Sequence, residues 1–92
     1  MSHLNVTTVR CEALFASALQ RSQSPTPTQV RQAIMWTVRD LGSQGCAERV
    51  AQEFGDHPET AVARMRWARQ LVAEAFAPAR RDQTRHAYPL AA

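Results

Sequence analysis

Three arginines, Arg64, Arg66 and Arg69, fall within six residues of each other, and Thr60 precedes them by one helical turn. Guanidinium groups at this density can hold phosphates or read guanine edges, and a threonine hydroxyl can hold a phosphate. These residues are the candidate DNA-contacting set. The competing reading is a solvated helix face with no ligand. Other chemistry is poorly supplied. Cys11 and Cys46 are too few and too far apart for a paired zinc site, and His3, His57 and His86 lack metal-ligand spacing. Two buried thiols are the expectation. The glycines, Gly42, Gly45 and Gly55, form no phosphate-binding loop, and no serine elbow or pair of catalytic groups stands out. The sequence therefore predicts no enzyme, no metal and no cofactor.

The charge gives the cluster only partial support. The chain has 92 residues and a formal net charge of +3, with eleven cations, all arginine, against eight carboxylates. Nucleic-acid binders concentrate cations on one face, because neutralising phosphates releases counterions. Residues 1–78 hold eight arginines and seven acids, 8 − 7 = +1, whereas 79–92 hold three arginines and one acid, 3 − 1 = +2. Most of the excess thus lies in a segment expected to be a flexible basic tail. The 45% apolar and 21% charged composition is that of a soluble globular domain rather than a disordered chain. No stretch is long and apolar enough to cross a membrane, and no signal peptide is visible, so a cytoplasmic location is expected.

The apolar spacing is helical nearly throughout. Cys11, Leu14, Phe15, Ala18 and Leu19 share one face of a helix over 6–21. Pro25 and Pro27 break the chain. Thr26, Pro27 and Gln29 then supply a cap, a first helical residue and a capping box for a helix over 27–41. Its inner stripe is Val30, Ala33, Ile34, Thr37, Val38 and Leu41, with Gly42 as a left-handed C-cap. A short helix over 46–54 follows, with Ala47, Val50, Ala51 and Phe54 inward. Gly55 ends it, and Asp56 caps a long helix over 58–77. The expected fold is all-α: one domain of four helices, the third and fourth forming a helix-turn-helix. In that motif Ala51 permits a close crossing and the fourth helix presents its outer face to a major groove.

The run 50–72 resembles region 4 of bacterial sigma factors of the extracytoplasmic-function group. Val50, Ala51, Phe54 and Gly55 stand at its scaffold positions, Thr60 and Arg64 at its threonine and arginine, and Met65 at a leucine. Ala68 and Arg69 match its closing segment, and Val72 stands at its last leucine. With the helix over 27–41 the resemblance spans 27–72. Asp56, Glu59, Ala61, Val62, Ala63 and Trp67 depart from the family pattern, mostly on the DNA-reading face. The resemblance implies a small DNA-binding transcription regulator acting on double-stranded DNA through Thr60, Arg64, Arg66 and Arg69.

Met35, Trp36 and Trp67 support a different reading. Met35 and Trp36 fall off the inner stripe of their helix, and Trp67 lies at the edge of its own. Exposed aromatic residues and arginine are common interface anchors. The alternative function is a helical protein-interaction module whose partner is a second copy or another protein, such as RNA polymerase. Burial of both tryptophans under the first helix or the tail would remove that reading.

Overall fold

A computed structural model of the chain describes residues 5–77, and the basic segment 79–92 falls outside the described residues. Three α-helices build the domain: α1, Val6–Ala16; α2, Pro27–Asp56; and α3, Pro58–Ala75, with a 3-10 turn, Arg21–Gln23, between α1 and α2. The described residues include no strand. The all-α expectation holds, but the four-helix architecture does not: there are three helices. The segment 46–54 is the C-terminal part of α2 and not a separate helix. Gly42, with φ 74° and ψ 164°, leaves helical geometry as the expected stop does, but helix resumes directly beyond it, so α2 runs on across this kink.

Local chemistry explains where the helices begin. Asn5 caps α1, its side chain accepting from the Thr8 amide. The capping box at α2 is complete: Thr26 Oγ1 accepts from Gln29 N at 3.2 Å, and Gln29 Oε1 accepts from Thr26 N at 2.8 Å. The other ends depart from expectation. α1 stops at Ala16 rather than near Arg21. Ser17 turns back on the helix, its amide and hydroxyl both donating to the Leu14 carbonyl. Asp56 is the last residue of α2 and caps nothing. His57 alone (φ −140°, ψ 66°) joins α2 to α3, and Pro58 occupies the first turn beyond it.

At that junction one non-helical residue, His57, stands where a turn over 54–58 was expected. Gly42 is the one glycine with positive φ among the described residues, so Gly55 is an ordinary helical residue and not a turn glycine. Ala51, expected at a close helix crossing, is exposed. The core forms instead around α1, which packs on both α2 and α3. Leu14, Val30 and Cys46 are its largest fully buried side chains, and Phe15, Ile34, Ala61, Trp67, Ala68 and Val72 complete most of it. Phe15 stacks on Phe54 with ring centroids 6.0 Å apart.

Candidate functional site

The α3 arginines divide between two sides of the helix, as its geometry requires: Arg64 on one, and Arg66 and Arg69, three residues apart, toward the other. Residues advance by about 100° per position, so Arg64 and Arg66 lie about 200° apart on the helix. Arg64 turns inward. Its Nε donates to the Phe15 carbonyl at 2.8 Å, and its Nη2 donates to the carbonyls of Ser17 and Leu19 at 3.0 Å and of Leu14 at 3.4 Å. The guanidinium carbon also lies 4.9 Å from the Trp67 ring centroid and 5.7 Å from that of Phe15. Burial pushes the Arg64 pKa down, an effect opposed by nearby Glu53. Arg66 is exposed. Arg69 lies along α1 beside Cys11 and Glu12, lining a cavity with them. Thr60 is exposed, and its hydroxyl donates to the His57 carbonyl. The four candidate DNA contacts are therefore not assembled on one surface, and Arg64 is committed to the end of α1.

Two further arginines, neither singled out by the sequence, do related work at the other end of α3. Arg31 donates from Nη1 to the Ala75 carbonyl at 2.9 Å and from Nη2 to Thr28 Oγ1 at 3.2 Å. Arg10 of α1 stacks over Phe76 at 3.8 Å from the ring centroid. Neither α1 nor α3 has a basic residue in its last turn. Cations from other helices thus supply the charge that stabilises exposed carbonyls at a helix C-terminus.

The tryptophans separate cleanly. Trp67 is only 8% exposed and belongs to the core, so it leaves the candidate interaction set; Arg64 seals its face. Trp36 is 60% exposed and Met35 51%. Trp36 forms one wall of a groove of about 570 Å³ between the segment following α1 and the N-terminal part of α2. Ala16, Ala18, Leu19, Ala33 and Leu41 supply apolar lining, with Asp40 and Arg49 as its charged members. Four of these residues, Ala18, Leu19, Ala33 and Leu41, were expected inside, and two of the four are exposed. Ala18 is exposed because α1 has already ended, and Leu41 is 38% exposed next to the Gly42 kink. The groove itself left no signal in the sequence, because its walls come from an early helix end and a kink.

Among the described residues no group of three or more His, Cys, Asp or Glu side chains could hold a metal ion, and no helix is long and apolar enough to cross a membrane. Cys11 and Cys46 are buried free thiols. Burial raises the pKa of both. For Cys11 Arg69 opposes the rise and Glu12 adds to it, and for Cys46 Glu12 adds and Arg49 opposes. No protein-family model, curated protein or solved structure matches the chain.

Proposed function

We propose that the chain is a helical protein-interaction module that docks an apolar segment of a partner protein against Trp36. The observation that carries this reading is the 60% exposure of Trp36 on the wall of an apolar-lined groove. A fully covered tryptophan buries up to about 250 Å², so about 150 Å² of this side chain remains open to a partner. At about 25 cal/mol per Å², covering it is worth about 3 to 4 kcal/mol before the costs of association. A single large aromatic side chain contributing at this scale behaves as an interface anchor. The DNA-binding reading has less support, because Thr60, Arg64, Arg66 and Arg69 do not share a surface.

A second copy is the partner to test first. Sedimentation and tryptophan emission are followed from micromolar to millimolar protein. Self-association with a blue shift of the exposed tryptophan, both lost in Trp36→Glu, supports the reading. The same variant should keep its thermal midpoint within about 2 °C of wild type, as an exposed site allows. A strict monomer with unshifted emission excludes the second copy. A Trp36→Glu variant destabilised by about 2 kcal/mol or more would make Trp36 a structural residue and sink the module reading. Saturable binding to generic duplex DNA at low salt, weakened by Arg66→Ala, would favour the nucleic-acid reading instead.

A further inference from the structure

We infer that the cleft between the Gln20–Arg21 turn and the first turns of α3 is a binding site for a small oxyanion, a carboxylate or a phosphate carried on a compact apolar body. This site is separate from the Trp36 groove, and its residues serve no role in the docking proposed there.

The cleft, of about 260 Å³, is lined by Gln20, Arg21, Thr60, Ala63, Arg64 and Trp67. Its charge balance sets it apart from the other cavities described. The Trp36 groove pairs Arg49 with Asp40, the cavity beneath Phe15 pairs Arg49 and Arg64 with Glu53, and the cavity beside Cys11 pairs Arg69 with Glu12. A fourth cavity contains Glu12 and no cation. The cleft at Trp67 alone has two guanidinium groups and no carboxylate.

Arg64 is suited to an incoming anion. All its hydrogen bonds to described residues go to neutral carbonyl oxygens, which use Nε and Nη2. Nη1 is left over. Among the described residues no buried side-chain nitrogen or oxygen lacks a hydrogen-bond partner, so this nitrogen is not buried. The clamp on α1 also fixes the guanidinium in place before any ligand arrives, which lowers the ordering cost of binding. Arg21 is exposed and free to close from the opposite wall. Two guanidinium forks fit carboxylate and phosphate oxygens better than they fit halide ions. Ala63 and Trp67 give the cleft an apolar wall, which favours a ligand with a small hydrocarbon or aromatic body over the bare ion.

The test is an NMR titration of the full chain at constant ionic strength, balanced with sodium chloride. The probes are inorganic phosphate, acetate, phenyl phosphate and benzoate. Saturable shifts confined to the amides of Gln20, Arg21, Thr60 and Ala63 and the Trp67 indole are expected, with the phenyl compounds binding more tightly than the bare ions. Whichever pair, phosphate or carboxylate, saturates at lower concentration identifies the oxyanion class. Arg21→Gln leaves the α1 clamp intact and should weaken binding at least about tenfold. Failure of all four probes to saturate, shifts spread equally over exposed arginines, or unchanged affinity in Arg21→Gln would each overturn the assignment. A monomer in the sedimentation experiment leaves this titration unaffected, so the two proposals fail independently.

Discussion

Removing the Arg64 side chain should destabilise the fold while removing that of Arg66 should not, although both are arginines on one helix. Arg64 donates to four carbonyl oxygens at 2.8 to 3.4 Å, but Nη2 has two hydrogens for three acceptors, so at most about three good bonds are made. A hydrogen bond to a charged group contributes about 1.5 to 3 kcal/mol net. The site is only half buried, so water re-engages about half of the freed carbonyls, and only one to two of the bonds count, each at the low end of about 1.5 kcal/mol. Contacts with Trp67 and Phe15 add about 0.5 to 1 kcal/mol. Arg64→Ala should therefore cost about 2 to 4 kcal/mol, a large share of the roughly 5 to 10 kcal/mol expected for a domain of this size. Arg64→Lys keeps the charge near the helix end but cannot span the carbonyls with a planar fork, and should cost about 1 to 2 kcal/mol. Arg66→Ala should stay within about 0.5 kcal/mol of wild type. Urea denaturation monitored by circular dichroism measures all three. Equal stability of Arg64→Ala and Arg66→Ala would refute the clamp and restore Arg64 as a free surface cation.

Gly42→Ala should destabilise by about 1 to 3 kcal/mol, because φ 74° with ψ 164° is a conformation nearly restricted to glycine. A new methyl there would meet nothing within 4 Å, so the loss is one of backbone conformation, and an unchanged urea midpoint would show that the kink is not required. Cys11 and Cys46, buried and with raised pKa values, should resist iodoacetamide at pH 8 in the native protein and react once urea unfolds it. The folded thiols hold their protons to higher pH than the unfolded ones. The folded state then binds more protons, and stability should fall as pH rises above about 9. Cys11→Ala with Cys46→Ala should flatten that fall, and an unchanged slope would assign it to other groups.

Much of the helix content was legible, because it follows from local rules. The Thr26–Pro27–Gln29 start of α2 and the Val30–Ile34 stripe need only capping chemistry and a period of 3.6. The failures lie where distant residues decide. Ala18 and Leu19 continue the apolar period of α1, yet the helix ends at Ala16, where Ser17 and a guanidinium from α3, 45 to 50 positions along the chain, take its last carbonyls. Gly42 looks like a stop signal, but a glycine with positive φ can also bend a helix that resumes beyond it. Gly55 looks like a turn residue, but the turn is made by His57, with Pro58 beginning the next helix. The arginine cluster was misleading for a reason available in the sequence. Positions 64 and 66 cannot share a helix face, whereas Thr60, Arg64 and Trp67 at i, i+4 and i+7 do, and these three line the same cleft.

The absence of lysine acquires a physical meaning from the three placed guanidinium groups. Arg64 needs divergent N–H vectors to reach carbonyls of four residues, Arg31 needs two nitrogens for Ala75 and Thr28, and Arg10 presents its plane to the Phe76 ring. An ammonium group, a strongly hydrated point charge, matches none of these geometries well. Two of the three act on the C-terminal ends of helices with no cation of their own, so the fold uses positive charge as cross-helix capping. Counting such residues toward a nucleic-acid surface overstates that surface. Arg10, Arg31 and Arg64 make three of the eight arginines in residues 1–78, against seven acids. Their neutral partners leave these charges unneutralised, so residues 1–78 keep a net charge of +1, but five arginines remain whose guanidinium groups are not held by such contacts. A net charge this small gives little long-range attraction for a polyanion, and the exposed aromatic side chain of Trp36, more than the basic composition, supports the proposed docking.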